Sequence, residues 1–426
     1  MTITYKCIKL YKNNSYNNSN NYIYYFSNFF YFNIFFLMEE NLDILPKSIA
    51  SKKNMNEKLK NKKVRNPGID FIRILAMYGI IINHIIYKSK NKTFINKFKE
   101  LKLLHVLLFW HNNGFVFISG FIGHKTHKYS NLFYLWIWVC FYSVVIHLFY
   151  LKYKPQYVIN DKFYYNLFPI IFRRYWFFTA YFGMYLFLPI INKGISYLNK
   201  SELKICFLST LFIFVFWHDI MNPNIDIFLT KSGYSVLWFL IFYITGAYFG
   251  EYKIEVLGIK KYYFYLISFL IYIFTSILYY SIYICDKNDL NTDIKHKIII
   301  ILKNLLRENY DSNLKAIQSI SIILFLLQIN YNKFLGQIIS SIATLTFGAY
   351  LIHDNICIRN DIIKNLFNNK NKNISLFSVY RLCMIKSLLI FIICIIIDYI
   401  RYLLFNLIKI RNFCIILDKK IFEILK

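Results

Sequence analysis

Acidic residues are scarce in this chain. Asp and Glu number 22 against 51 Lys and Arg, and charged residues make up 17% of the 426 positions. A soluble domain carries roughly 25% charged residues. Hydrophobic residues supply 57%, so the two or three water-soluble domains that the length would allow are excluded. Close cysteine pairs are also lacking. Cys7, Cys140, Cys206, Cys285, Cys357, Cys383, Cys394 and Cys414 are dispersed, with no C-x-x-C. That argues against zinc and redox motifs, and a lone cysteine in an apolar run packs as a small hydrophobe. No G-x-S-x-G elbow, H-E-x-x-H, P-loop or Gly-rich dinucleotide turn occurs. Serine hydrolysis, metal hydrolysis and NTP hydrolysis are therefore disfavoured, and no metal is expected.

What is present is a series of apolar runs near 20 residues long, each able to cross a hydrocarbon core of about 30 Å. The expected fold is all-α, a polytopic transmembrane helix bundle of about ten spans. These fall near 68–88, 103–123, 129–151, 174–192, 203–219, 234–251, 262–285, 314–330, 338–356 and 383–405. The polar stretch 286–313 contains an apolar piece, IIIILKNLL, suited to the membrane interface. No internal repeat is visible, which weakens an inverted-repeat transporter.

A formal net charge of +29 suggests nucleic acid at first sight. The lysines are scattered through loops rather than gathered into a basic stripe, and Lys, Asn, Ile, Phe and Tyr all share A/T-rich codons. Nucleic acid is not expected as a partner; attraction to anionic membrane lipids is. Residues 1–37, rich in Asn, Tyr and Phe, lack the basic start, aliphatic centre and cleavage site of a signal peptide. Met38 and Met55 follow, and MNEKLKNKKVRNPGIDFIR reads as a natural start. Residues 1–66 are thus expected to be a poorly structured extension and basic flank, 67–410 the membrane domain, and 411–426 a short cytoplasmic tail. Basic flanks on the first and last spans favour both termini inside.

An ionisable side chain inside a span is a functional candidate by default. In IDFIRILAMYGIIINHII, His84 follows Arg73 by eleven residues. The two fall within about 20° on one helical face and about 16 Å apart along the axis. A cation at the mouth with an imidazole deep inside suits an anionic donor and acid–base chemistry. Snorkelling by Arg73 and helix bridging by His84 would need no such function. The second span holds His111, Asn112 and Asn113 together, then Ser119-Gly120; three adjacent polar groups must meet other helices or a wet cavity. Arg173 and Arg174, beside Trp176, suit a phosphate or carboxylate, or an interfacial anchor. His218-Asp219 reads as a solvated span end. His353, Asp354, Asn355 and Arg359 fall at the edge of the ninth span, where a carboxylate would either orient an imidazole or cap the helix.

Five segments occur in the order of a known family: GIDFIRILAMYGIIINH, FVFISGFIG, RYWFFTAYFGMYLFLPIIN, GYSVLWFLIFYITGAYFG and LTFGAYLIHDNICIR. Together they make the chain resemble acyltransferase family 3, integral membrane enzymes that modify sugars and other surface molecules. The Leu-Ile-His-Asp-Asn ending resembles the branch acting on cell-surface polysaccharide. The resemblance implies transfer of an acyl group, acetyl by expectation, from cytosolic acyl-CoA as co-substrate to a hydroxyl of a carbohydrate or lipid-linked glycan. It implies a multi-pass protein of the plasma membrane with no bound cofactor. Arg73 and His84 match the family's functional pair, and Ser119 its Ser-Gly position. Two departures are His111-Asn112-Asn113 and the loop HKTHK, which stands where the family often has an arginine pair. The expected mechanism puts the donor phosphates near Arg73, Lys125 and Lys128, makes His84 the base, and gives the oxyanion to Asn83 or Asn112. The rival reading is a multi-span transporter or flippase for a polar solute, which would explain intramembrane Arg and His equally well.

Overall fold

The computed structural model describes residues 66–88, 101–125, 127–159, 161–217, 226–252, 261–287, 309–366 and 376–424. Among these residues every regular element is helical and no strand occurs. Residues 1–65 of the expected extension and flank 1–66, the lysine-rich loop 89–100, His218-Asp219 and the IIIILKNLL piece lie outside the described residues.

Helix α1 (Pro67–Lys88) begins with proline at its first position and Asp70 in its first turn. Both suit a helix N-terminus, the ring for its fixed φ and the carboxylate for the dipole. Asn66 caps it, its Oδ1 accepting from the Gly68 N–H at 2.9 Å. The second span is broken at Phe109–Trp110 into α2 (Leu101–Leu108) and α3 (His111–Gly123). Helix α4 (Tyr129–Tyr153) follows, then α5 (Trp176–Tyr197), which contains Pro189. Helix α6 (Lys200–Leu211) opens on an Asn199/Glu202 capping box and runs into a π-helical turn, Phe212–Trp217.

Helix α7 (Val236–Tyr252) buries residues all round its surface, from Trp238 to Phe249. It crosses α3 at backbone contact. A Cβ on Gly120 would stand 1.9 Å from the Tyr243 carbonyl oxygen, and one on Gly246 2.0 Å from that of Phe117. Small residues facing one another in this way are how apolar helices associate without a hydrophobic drive. Next come α8 (Lys261–Lys287) and α9 (Asn313–Leu326). The ninth expected span is again two pieces, α10 (Lys333–Ala343) and α11 (Thr346–His353), with α12 (Ile356–Asp361) beyond it. Helix α13 (Leu376–Leu407) exposes Leu389, Ile393, Ile396, Ile400 and Leu407, a stripe suited to lipid.

Each of the ten expected regions contains helix, and among the described residues six stretches are long and apolar enough to cross a membrane: 67–88, 101–123, 129–153, 263–281, 333–353 and 377–407. The 14 residues of α9 span about 21 Å and the 17 of α7 about 26 Å, short of a 30 Å core. Both are largely buried among other helices. The expected tail is also more than a tail. Residues Ile410–Ile424 form α14, whose Asp418 accepts from the Ser130 N–H at 2.9 Å and seats the helix on the start of α4.

Candidate active site

Helix α1 carries Asn83 and His84 side by side, and successive residues on a helix point about 100° apart. The two therefore enter different polar clusters. His84 faces α11. Its Nδ1 lies 3.1 Å from His353 Nε2 and 3.5 Å from Asp354 Oδ1. The same carboxylate oxygen accepts from Lys88 Nζ at 2.6 Å and from an Arg359 guanidinium nitrogen at 3.3 Å. Burial would raise the Asp354 carboxyl, but His84, Lys88, His353 and Arg359 outweigh it and hold it well below the usual carboxylate range. Asn355 fixes the turn after Asp354: its Oδ1 caps α12 through the Cys357 N–H, and its Nδ2 donates to the Tyr175 hydroxyl at 2.9 Å.

These partners determine which nitrogens carry protons. His353 Nδ1 is 2.6 Å from the Ala349 carbonyl oxygen. A carbonyl only accepts, so Nδ1 is the donor and, in neutral His353, Nε2 is an acceptor. His84 Nδ1 must then donate to His353 Nε2. A neutral His84 consequently has its lone pair on Nε2, which has no hydrogen-bond partner among the described residues. The side chain is 18% exposed, so that lone pair can be reached.

The second cluster is closed by the same logic. Asn83 Nδ2 donates to His111 Nε2 at 2.9 Å, its Oδ1 accepts from His105 Nδ1 at 3.0 Å, and His111 Nδ1 donates to Asn112 Oδ1 at 3.1 Å. Asn113 turns elsewhere, taking the Trp238 indole N–H and donating to Ser319 Oγ and the Tyr310 carbonyl. The Tyr310 ring stacks on Phe109 at 4.2 Å and lies 6.0 Å from His111 and 6.4 Å from Trp176. Burial pushes its phenol well above the ordinary range.

The remaining expected residues sit apart from His84. Arg73 pairs with Asp70 at 2.9 Å, and Asp70 also accepts from Ser340 Oγ. Ser119 donates to the Phe115 carbonyl one turn back at 2.9 Å and lies 3.4 Å from the Tyr181 hydroxyl. Arg174 forks onto Asp161 at 2.7 and 2.6 Å and reaches Asn166, in a network with His147 and Ser143. Arg173 is exposed, with a left-handed φ of 50°. Trp176 packs on Tyr234 at 4.4 Å. Lys125 is paired with Glu251 at 2.8 Å.

Sequence reasoning passed over Lys88, one turn beyond His84 on the same face, and His105. It also passed over Asp398 and Arg401, a pair inside α13. Asp398 accepts from Trp138 Nε1, Tyr142 and Arg401, and the Arg401 guanidinium lies 3.7 Å over the Trp138 ring. A Cβ on Gly348 of α11 would meet the Asp398 carboxylate at 2.0 Å. The spacing of Asp398 and Arg401, three residues apart on an otherwise apolar helix, was the available signal.

A family model described as an acyltransferase domain, that of acyltransferase family 3, matches residues 66–399. No curated protein and no solved structure matches the chain.

Proposed function

The chain belongs to acyltransferase family 3, and from that premise we propose that it moves an acyl group, acetyl in the first instance, from acyl-CoA to a hydroxyl of a carbohydrate or lipid-linked glycan at the plasma membrane. The observation that carries the catalytic part is the lone pair on His84 Nε2, held by the Nδ1–H donated to His353.

In this reading the acceptor hydroxyl gives its proton to His84 Nε2 as its oxygen attacks the thioester carbonyl carbon. The imidazolium so formed is stabilised by Asp354, 3.5 Å from Nδ1. When the tetrahedral intermediate collapses the C–S bond breaks, and the imidazolium returns its proton to the departing thiolate. His353 acts as the orienting group, in the role a third residue plays behind any positioned base. Of the two asparagines considered for the oxyanion, Asn83 has both ends engaged within its cluster. Asn112 uses only its carbonyl oxygen, leaving Nδ2 as the donor. Arg73 grips donor phosphate at the opposite end of α1, and the thioester arm covers the ~16 Å between.

The test is incorporation of label from acetyl-CoA, radiolabelled in the acetyl group, into glycan by membranes containing the protein. Label in the glycan that vanishes with His84→Ala supports the reading. Solute uptake or counterflow without incorporation would sink it and favour the transporter.

A further inference from the structure

Helix α11 carries a further polar side chain beside His353. Tyr350 precedes it by three residues, a spacing that makes the two neighbours on the helix surface. The His353 ring adjoins both of the others, at 5.1 Å from the His84 ring and 6.3 Å from that of Tyr350. The Tyr350 ring packs on Tyr175, Phe177 and Phe347 at 5.8, 6.1 and 6.1 Å. Its hydroxyl is buried with no hydrogen-bond partner among the described residues, and the whole side chain is 4% exposed. Comparable tyrosines in the bundle are paired: Tyr142 donates to Asp398, Tyr243 to Asn192 and Tyr272 to the Leu107 carbonyl. A buried hydroxyl left unpaired is costly, and phenylalanine would fill the same space without that cost.

The start of α5 lies beside this hydroxyl. Its N-cap residue, Tyr175, makes no side-chain cap, and the first N–H groups of a helix have no partner within it. The Phe177 N–H approaches the Tyr350 oxygen without completing a hydrogen bond. Two donors do not face one another, so this N–H turns the hydroxyl hydrogen away, toward an acceptor that the described residues do not supply. The arrangement is held in place by Tyr175. Its hydroxyl donates to the Leu351 carbonyl at 3.0 Å and accepts from Asn355 at 2.9 Å, which ties the start of α5 to the residue after Tyr350.

A helix N-terminus favours negative charge, and that selects among acceptors. A neutral sugar hydroxyl gains little there; an oxygen that becomes anionic gains most. Phe115 of α3 packs on Phe177 at 6.1 Å, which brings Asn112, three residues earlier, within a helical turn of the same contact.

We propose that the Tyr350 hydroxyl is a second oxyanion donor, alongside Asn112, for the tetrahedral intermediate; the assignment rests on the acyl-transfer reading above. As the acceptor oxygen bonds to the thioester carbon and its proton passes to His84, the carbonyl π pair moves onto oxygen. Tyr350 donates a hydrogen bond to that oxygen and keeps its own proton, as a phenol with an ordinary pKa of about 10 does at neutral pH. When the C–S bond breaks the carbonyl re-forms, and the thiolate takes its proton from His84.

The test is Tyr350→Phe. Membranes containing the full chain receive acetyl-CoA labelled in the acetyl group, and label entering their glycan is followed against donor concentration. A fall in kcat of about 10²-fold is expected, with KM for acetyl-CoA within about twofold of wild type. The purified variant should melt in detergent at or above the wild-type temperature, because no hydrogen bond within the protein is lost. Tyr350→3-fluorotyrosine keeps the O–H and should restore most of the rate. Three outcomes overturn the proposal: an unimpaired Phe variant, a lowered melting temperature accompanying the lost rate, or a raised KM with kcat intact. An unimpaired Phe variant beside an active wild type removes Tyr350 alone. Absence of label with wild type removes the acyl-transfer reading and the assignment with it.

Discussion

At the scale of residues, the proposed mechanism makes Nε2 of His84 the base, and the neighbours of His84 set its geometry. His84→Ala should abolish transfer, by at least about 10²-fold in kcat, while the protein still inserts and runs as a single species. His84→Gln, which keeps a hydrogen bond to His353 but no basicity, should be equally inactive; a Gln variant with substantial turnover would remove proton transfer from the role. Asp354→Asn keeps the shape and removes the charge facing the imidazolium, so kcat should fall with little change in KM for either substrate. Because Asp354 is held below the ordinary carboxylate range, it stays ionised across any practical assay pH. An acid limb in the wild-type rate profile therefore belongs to the base and not to Asp354, and its displacement to lower pH in Asp354→Asn, where the charge facing the imidazolium is gone, is the expected result. Arg73→Lys conserves charge but loses the planar fork, so a raised KM for acyl-CoA is expected. A wild-type KM would leave Arg73 a structural role, its ion pair with Asp70 included. The candidates Arg73 and His84 were legible because a charge inside an apolar run is conspicuous. His353 and Asp354 were legible as candidates in the same way, but their pairing with α1 was not, because they lie 269 and 266 residues from His84 and Lys88, and no spacing rule links positions that only the fold brings together.

At the scale of elements, two features hold the site in register. One is the α3–α7 crossing. Gly246→Ala or Gly120→Ala must push backbone from backbone, and overpacking of this kind typically costs about 1–3 kcal/mol. A lowered melting temperature in detergent, with poor recovery, is the expected outcome; full wild-type stability would mean the helices stand further apart than described. The other is the buried Asp398–Arg401 pair, which ties α13 to α4 and presses on Gly348 in the helix bearing His353. Removing one member should cost about 3–5 kcal/mol, and replacing both by apolar residues considerably less. Measured stabilities of the single and double variants decide this, and equal losses from all three would refute it. Helices were legible from apolar runs throughout. The breaks at Phe109–Trp110 and Thr344–Leu345 were not, since neither contains proline or glycine and each is imposed by packing. An apolar helix buried among other helices, such as α7 or α9, reads in sequence much like one facing lipid.

At the scale of the whole molecule, the order of helices places Arg73, the loop at Lys125–Lys128 and α14 toward one end of the bundle, with His84 and Asp354 toward the other. A cysteine introduced at Lys125 should therefore resist an impermeant thiol reagent applied to intact cells if the donor is cytosolic, whereas one at Lys92 should react. Labelling at Lys125 from outside would reverse the topology and the donor route with it. The hydrogen-bond chain behind His84 bears on energetics as well. It runs from His84 to His353 and stops at the Ala349 carbonyl, which has no proton to pass on. A proton taken up at Nε2 has no relay through His353 to the opposite compartment and must depart on the side where it arrived. A membrane enzyme with a histidine pair at its centre is thus built as a shuttle rather than a wire, and it should turn over without dissipating the proton gradient. Proteoliposomes loaded with a pH-sensitive dye and held under an imposed gradient should show the same leak with wild type as with His84→Ala.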